Sequence, residues 1–503
     1  MERTNLKWNE FQKASYIAGE DHLGILNVGI QISDRLQTGI TSITPRARYW
    51  SFYTWVLYDF IENMPHRSDE AYTDYLHRQD WFYILANIAE MNEREQHETN
   101  LVQVTKGQQA WQEKMDELPY NEAYYKGSVT GIQVYRNVLR SLHLTSESDF
   151  VKGVLIPRLT PKGTKLAEAF RDTIAHTRYY KEYRLSDKPV PRSVLLEYGQ
   201  AAGLGRLLEP GAQDRQTLMD IFMPPDPQDE LEMLRKESLH FYKFVFDHNG
   251  YAQPGSGRAW RNHMYDRYSP WGKDNADLPQ EHQKVAMGWA IYQARQLFTF
   301  SLQTIWSYVL EIMEKQLYTH EGLLEEILNQ MMIEKLPVDE PINSLLQQMP
   351  LDPETREEFI GHMTSKNAKT VLKVHQPLLV MLDVYSRMKN LDQNDKLVSQ
   401  LHDMGGAEHL SLSWWMEKVE ASQDLSVADF LKSIITHYIL DQHQKVALGK
   451  ALTTQNITYH FGVDEGKLHC LRRASPVFNV FRVRQGISVM KDLGLILANG
   501  NDD

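Results

Sequence analysis

Residues 281–315 read EHQKVAMGWAIYQARQLFTFSLQTIWSYVLEIMEK. Val285, Trp289, Tyr292, Leu297, Phe298, Leu302, Ile305, Trp306, Val309 and Leu310 keep a helical period, and no proline interrupts them. Such a run predicts one helix of about 35 residues, from Glu281 to Lys315. An element of that length buries its apolar positions against neighbouring elements, here other helices. The flanking sequence supplies them, at 320–334, 353–363, 367–389, 395–403, 411–420 and 427–450 downstream. Upstream, Tyr72 to Glu98, Lys106 to Leu118 and Val194 to His248 are also helical, the last broken by Pro224, Pro225 and Pro227. Only near the C-terminus does the pattern change. Ile457 to Phe461 and Lys467 to Leu471 read as strands joined through Asp464-Glu465-Gly466, a hairpin turn signal. The expected class is therefore mainly α: a multi-domain helical protein with embedded winged-helix-like units and a small C-terminal β-hairpin.

The chain has 503 residues, which suggests three or four domains. Punctuation places the segments at 1–120 (helical), 121–185 (winged-helix-like), 194–345 (helical, with a long loop at 250–273), 346–450 (helical) and 451–503 (hairpin plus short helix). At 42% apolar and 11% aromatic residues the composition supplies several cores and excludes a disordered chain. No apolar run approaches the roughly 18–20 residues that span a bilayer, and the first residues lack a signal-peptide stretch. A single cysteine, Cys470, excludes a disulfide framework and a cysteine-based zinc site, and it reads as a small buried residue. These features fit a soluble cytoplasmic protein without a membrane partner.

The formal net charge of −12 argues against a protein that coats nucleic acid. The charge is uneven, however. Residues 126–192 carry +7, leaving −19 for the rest, and 466–491 hold six Lys plus Arg and no acid. Basic islands on an acidic body suit restricted contact with phosphates.

The strongest local signal is 131–174. A helix (Gly131 to Leu144), a polar turn (Thr145 to Asp149), a strand (Val154 to Leu159) and a helix opened by Thr160-Pro161-Lys162-Gly163 resemble the second half of a winged helix. In that reading the first helix exposes Gln133, Arg136, Asn137 and Arg140 to base edges and phosphates, and Lys162 lies beside it. Many winged helices dock only on proteins, so protein contact stays open. A second unit of similar logic holds Arg472, Arg473, Arg482 and Arg484, and its helix ends in Asp492-Leu493-Gly494-Leu495-Ile496, a glycine C-cap pattern.

Thr44-Pro45-Arg46-Ala47-Arg48 opens an apolar helix running to Phe60, with Thr44 as N-cap and Pro45 in the first turn. Arg46 and Arg48 stand where the helix dipole disfavours cations. They need an internal carboxylate, with Asp34 or Glu62 at hand, or they form an anion site. In 250–273, Arg258, Arg261, Arg267 and Lys273 alternate with Tyr251, Trp260, Tyr265, Tyr268 and Trp271. Such a loop either clamps bases or is pinned to the body by its aromatics.

Enzyme signatures are poor: no phosphate loop, no nucleophile elbow and no His-Glu-x-x-His pair. His437 and His443 make a weak metal pair, and Glu93, Glu95, His97 and Glu98 read as a solvated helix end. No catalytic residue, metal or cofactor is assigned. One echo stands out: 282–288 and 443–449 agree at six of seven positions, HQKVAMG against HQKVALG.

Gln37 to Phe52, with its Thr-Pro-Arg-Ala-Arg-Tyr core, resembles a stretch of an uncharacterised bacterial family, as do the His443 to Ala447 and Asp492 to Ile496 segments. Members of that family occur beside helicases and nucleases in mobile or phage-defence islands. The resemblance covers the two ends of the chain. It implies a helicase, ATPase or nuclease partner in an antiviral setting and brings no catalytic residues. The expected function is a non-catalytic subunit that binds nucleic acid, most readily DNA, or acts as a scaffold. The alternatives are a pure protein-interaction scaffold and a metal-dependent nuclease whose site is assembled from distant carboxylates.

Overall fold

A computed structural model describes residues 21–65, 68–94, 104–121, 131–146, 156–249, 257–364, 372–454, 458–479 and 482–496. The described residues are mainly helical. Their strands form three two-stranded antiparallel pairs, the last being the C-terminal hairpin. Among the described residues, no helix is long and apolar enough to cross a membrane.

The chain divides into two compact units, each drawn from distant stretches. One combines Met1–Ile32 with Gly257–Asn479, and the other combines Ser33–Ser256 with Val480–Asp503. The boundaries read from sequence at 120, 185 and 345 fall inside these units.

In the 33–256/480–503 unit the helix Arg48–Asn63 is central. Tyr49, Trp50, Phe52, Tyr53, Trp55 and Phe60 are fully buried on different sides of it. It packs against Pro161–Ile174 and Gly131–Ser141. Phe52 stacks on Tyr83 of the helix Asp69–Arg94, with ring centroids 4.1 Å apart. Asp69–Arg94 in turn packs on Arg192–Ala202. Gly199 permits that approach, because a Cβ there would lie 2.1 Å from the Ala86 carbonyl oxygen.

Three local expectations change in this unit. The helix begins at Arg48, after Ala47, and Thr44 is not its cap. The Thr44 hydroxyl instead accepts the Thr41 N–H at 3.0 Å and holds a preceding turn. The 185–192 linker contributes Val190–Pro191, which pairs with Glu117–Leu118. Val483–Leu493 ends as its sequence suggests: Gly494 takes a left-handed conformation, φ 75°, and donates to the Lys491 carbonyl.

In the 1–32/257–479 unit the long helix is Gln280–Met313, 34 residues. It is buried on nearly every side, including the polar Gln293, Arg295 and Gln303. Leu372–Met388 and Lys396–His402 pack against it. Val427–Ser433, a π-helical stretch Ile434–Asp441 and Gln442–Thr454 follow one another without a break. The hairpin strands are Phe461–Asp464 and Lys467–Cys470, so the first lies later than the 457–461 read from sequence. Glu465 (φ 46°) and Gly466 (φ 76°) form its two-residue turn, and two positive φ values match the twist of the strands.

The segment read as a loop at 250–273 is also corrected. Residues 250–256, with Tyr251, lie outside the described set. From Gly257 the chain is helical, Gly257–Arg261 and then a π turn Asn262–Arg267. Trp260, Tyr265 and Tyr268 are buried, and Arg261 makes two bonds to Glu357 at 2.7 and 2.8 Å. Arg267 is bonded to Asp274. The buried rings pin the segment to its unit, whereas Arg258 and Lys273 are exposed and Trp271 is half-buried.

Candidate nucleic-acid interface

The 131–174 segment has the helix–strand–strand–helix order expected of it. After Gly131–Ser141, Thr145–Ser146 pairs antiparallel with Arg158–Leu159, and Pro161–Ile174 follows. Residues 147–155, the expected wing tip, lie outside the described set. Thr160 caps the last helix: its hydroxyl accepts the Gly163 N–H at 3.1 Å and donates to the His143 carbonyl at 2.6 Å. Gly163 is required there, since a Cβ would sit 2.0 Å from the Leu144 oxygen. These contacts fix the two helices against each other.

The first helix is strongly two-faced. Tyr135, Val138 and Leu139 are buried, whereas Arg136, Asn137 and Arg140 are exposed. Arg140 lies three residues beyond Asn137 and four beyond Arg136, spacings that put it beside both on the helix surface. Gln133 lies on the same helix, and its side chain is outside the described set. Arg158, on the adjoining strand, is exposed as well.

Most of the other predicted residues are committed to internal partners. The Lys162 ammonium lies 2.5 Å from Glu232. Burial raises the Glu232 carboxyl, but Lys162 and the Gln228 N–H outweigh it and hold it below its usual range. Arg482 is buried and bonded to Asp34, so it is unavailable to a phosphate. Arg473 reaches Glu314 with Nε at 3.0 and 2.9 Å, both side chains being exposed. Arg472 is half-buried, and Arg484 is exposed on Val483–Leu493. Arg472 and Arg473 belong to the 1–32/257–479 unit and the remaining candidates to the other. The second cluster read from sequence is thus split between units.

Arg46 and Arg48 are structural ion-pair residues, with partners other than those expected. Arg46 Nε lies 3.1 Å from both oxygens of Asp492, which also accepts the Ala47 N–H at 2.8 Å. Arg48 is fully buried. It donates to both oxygens of Asp214, at 3.2 and 3.1 Å, and to the Gly203 carbonyl at 2.8 Å. Asp34 serves Arg482 instead, and Glu62 is exposed. All guanidinium edges that an anion would need at Arg48 are turned to protein.

Among the described residues, no group of three or more His, Cys, Asp or Glu is placed to hold a metal ion. His437 pairs with Asp441, and His443 is buried with both ring nitrogens bonded, to the His22 carbonyl and the His460 N–H. Glu93 is exposed, and Glu95, His97 and Glu98 lie outside the described set. Cys470 is half-buried, and desolvation pushes its thiol up, away from thiolate chemistry.

The sequence reading missed the packing of His22, His443 and His460. The ring centroids of His22 and His460 are 4.0 Å apart, and those of His443 and His460 5.3 Å. Burial first, and mutual repulsion second, lower His22 to about 3. Burial likewise lowers His443 to about 4. The only sequence signal was His443 within the repeated HQKVA run. No protein-family model, no curated protein and no solved structure matches the chain.

Proposed function

We propose that this protein is a non-catalytic, nucleic-acid-associated scaffolding subunit of a prokaryotic multi-protein system, with its contact confined to the exposed face of Gly131–Ser141. The observation that carries the reading is the side-by-side exposure of Arg136, Asn137 and Arg140 on a helix whose other face is buried. Arginines on such a face meet phosphates with little sequence preference, and only Asn137 is suited to a base edge. A helicase, ATPase or nuclease partner, in a phage-defence setting, belongs to the proposal through the resemblance of Gln37 to Phe52.

A second reading, a scaffold that touches protein alone, is favoured by one observation. Lys162, Arg473 and Arg482 are spent on Glu232, Glu314 and Asp34. A duplex-binding titration of the whole chain across salt concentrations separates the two. The nucleic-acid reading expects affinity to fall by about 0.9 log units per log unit of salt for each phosphate contact. It also expects Arg473→Ala to leave that dependence unchanged. Absence of duplex binding at low salt gives the protein-only scaffold the lead.

A further inference from the structure

Within the 33–256/480–503 unit lies a pocket of about 320 Å³, at the small end of the roughly 300–1,000 Å³ typical of small-molecule sites. One wall is the start of Asp69–Arg94, which contributes Asp74, Tyr75 and Arg78. The facing wall is Arg184, Leu185 and Asp187, just after the π turn Tyr179–Tyr183.

Both arginines are held in place by neighbours, and Arg184 keeps an unused terminal nitrogen. The Arg184 guanidinium lies 4.0 Å from the centre of the Tyr180 ring and donates to the Tyr180 carbonyl. Its Nε reaches Asp59 at 3.4 Å. Asp59 is buried and already accepts from the Tyr75 hydroxyl and, at 3.0 Å, from Asn63. The second terminal nitrogen of Arg184 donates to no described residue. Arg78 bonds Asp187 at 2.9 Å and lies 5.3 Å from the Phe82 ring centre. Its second terminal nitrogen lies 3.5 Å from the Lys188 carbonyl, and its Nε is closed off from the pocket. A planar carboxylate is the acceptor that fits the open edge of the Arg184 guanidinium. At the mouth, the exposed Asp74 carboxylate makes no ion pair among the described residues, which suits a cation. Tyr75 and Leu185 supply apolar surface between these charges.

We propose that this pocket binds a small zwitterion, a free α-amino acid with an apolar side chain. Its carboxylate meets Arg184, its ammonium faces Asp74, and its side chain lies against Tyr75 and Leu185. No residue of Gly131–Ser141 lines the pocket, and neither reading depends on the other.

The test is calorimetric titration of the whole chain with each standard L-amino acid in turn, then with the deaminated acid and the decarboxylated amine of the best binder. Saturable binding of an apolar amino acid is expected, weakened about tenfold or more on loss of either charged group. Asp74→Asn weakens the amino acid about tenfold and leaves the deaminated acid unchanged. Leu185→Trp fills the pocket and abolishes binding. Asp74 and Leu185 are surface residues, so both variants keep the fold. Circular dichroism of each variant checks that. Failure of every amino acid to bind, equal binding of the deaminated acid to wild type, or undiminished binding to Leu185→Trp overturns the proposal.

Discussion

Arg48 and Asp214 are both fully buried, so their charges survive in the interior only as a pair. Arg48→Met leaves the Asp214 carboxylate uncompensated and costs about 3–5 kcal/mol, whereas adding Asp214→Leu restores most of it. Urea denaturation of the single and double variants measures both effects. A single variant as stable as wild type contradicts the assignment. The histidine cluster gives stability a pH dependence. His22 and His443 fall from an ordinary 6.5 to about 3 and about 4, with Lys450 and Arg472 adding positive charge around them. The unfolded chain therefore takes up protons at a higher pH than the folded one. Their contribution is complete above about pH 6.5 and is lost as pH falls through about 4 to 3. The urea midpoint should decline on acidification below 6.5, and less steeply in His22→Asn. Parallel declines would remove His22 from the account. Neither set of partners was legible in the sequence. Arg48 and Asp214 are 166 residues apart and His22 and His443 are 421 apart, and no local pattern signals such distant pairing.

Elements with a sustained period were the legible ones. Gln280–Met313 was readable to within two residues at its C-terminal end because apolar spacing over so many turns has one solution. The Gly494 cap was readable because a left-handed residue at a helix end favours glycine. Gly494→Ala meets both φ 75° and a Cβ 3.0 Å from Leu208 Cδ2, and costs about 1–2 kcal/mol. Gly211→Ala has nothing within 4 Å and should be near neutral. Equal melting temperatures for the two would contradict the cap. The 257–267 segment was misread as a loop because Gly250, Pro254, Gly255 and Gly257 mark one. What decides its structure is the burial of Trp260 and Tyr265 and the pairing of Arg261 with Glu357, 96 residues away. The first hairpin strand was placed early for a related reason: strand-forming residues extend to both sides of the turn, and register depends on the partner.

At the scale of the molecule, mainly helical class followed from composition and period, but the division into units did not. Each unit closes with a stretch from the far end of the chain, as Arg46–Asp492 and Arg295 with the Ile25 carbonyl illustrate. Punctuation by proline and glycine marks loops, and a loop is not a boundary when long-range contacts span it. The basic islands were likewise real in sequence and only partly real on the surface. Their charge is partly neutralised by Glu232, Glu314 and Asp34, while the Gly131–Ser141 face keeps Arg136 and Arg140 exposed. On that face the proposed contact with nucleic acid rests. The direct measurement is the salt dependence of duplex binding for wild type and for Arg136→Ala/Arg140→Ala, with folding checked by circular dichroism. The wild-type log–log slope should flatten by about two in the double variant, at unchanged fold. Equal slopes for the two proteins would contradict it.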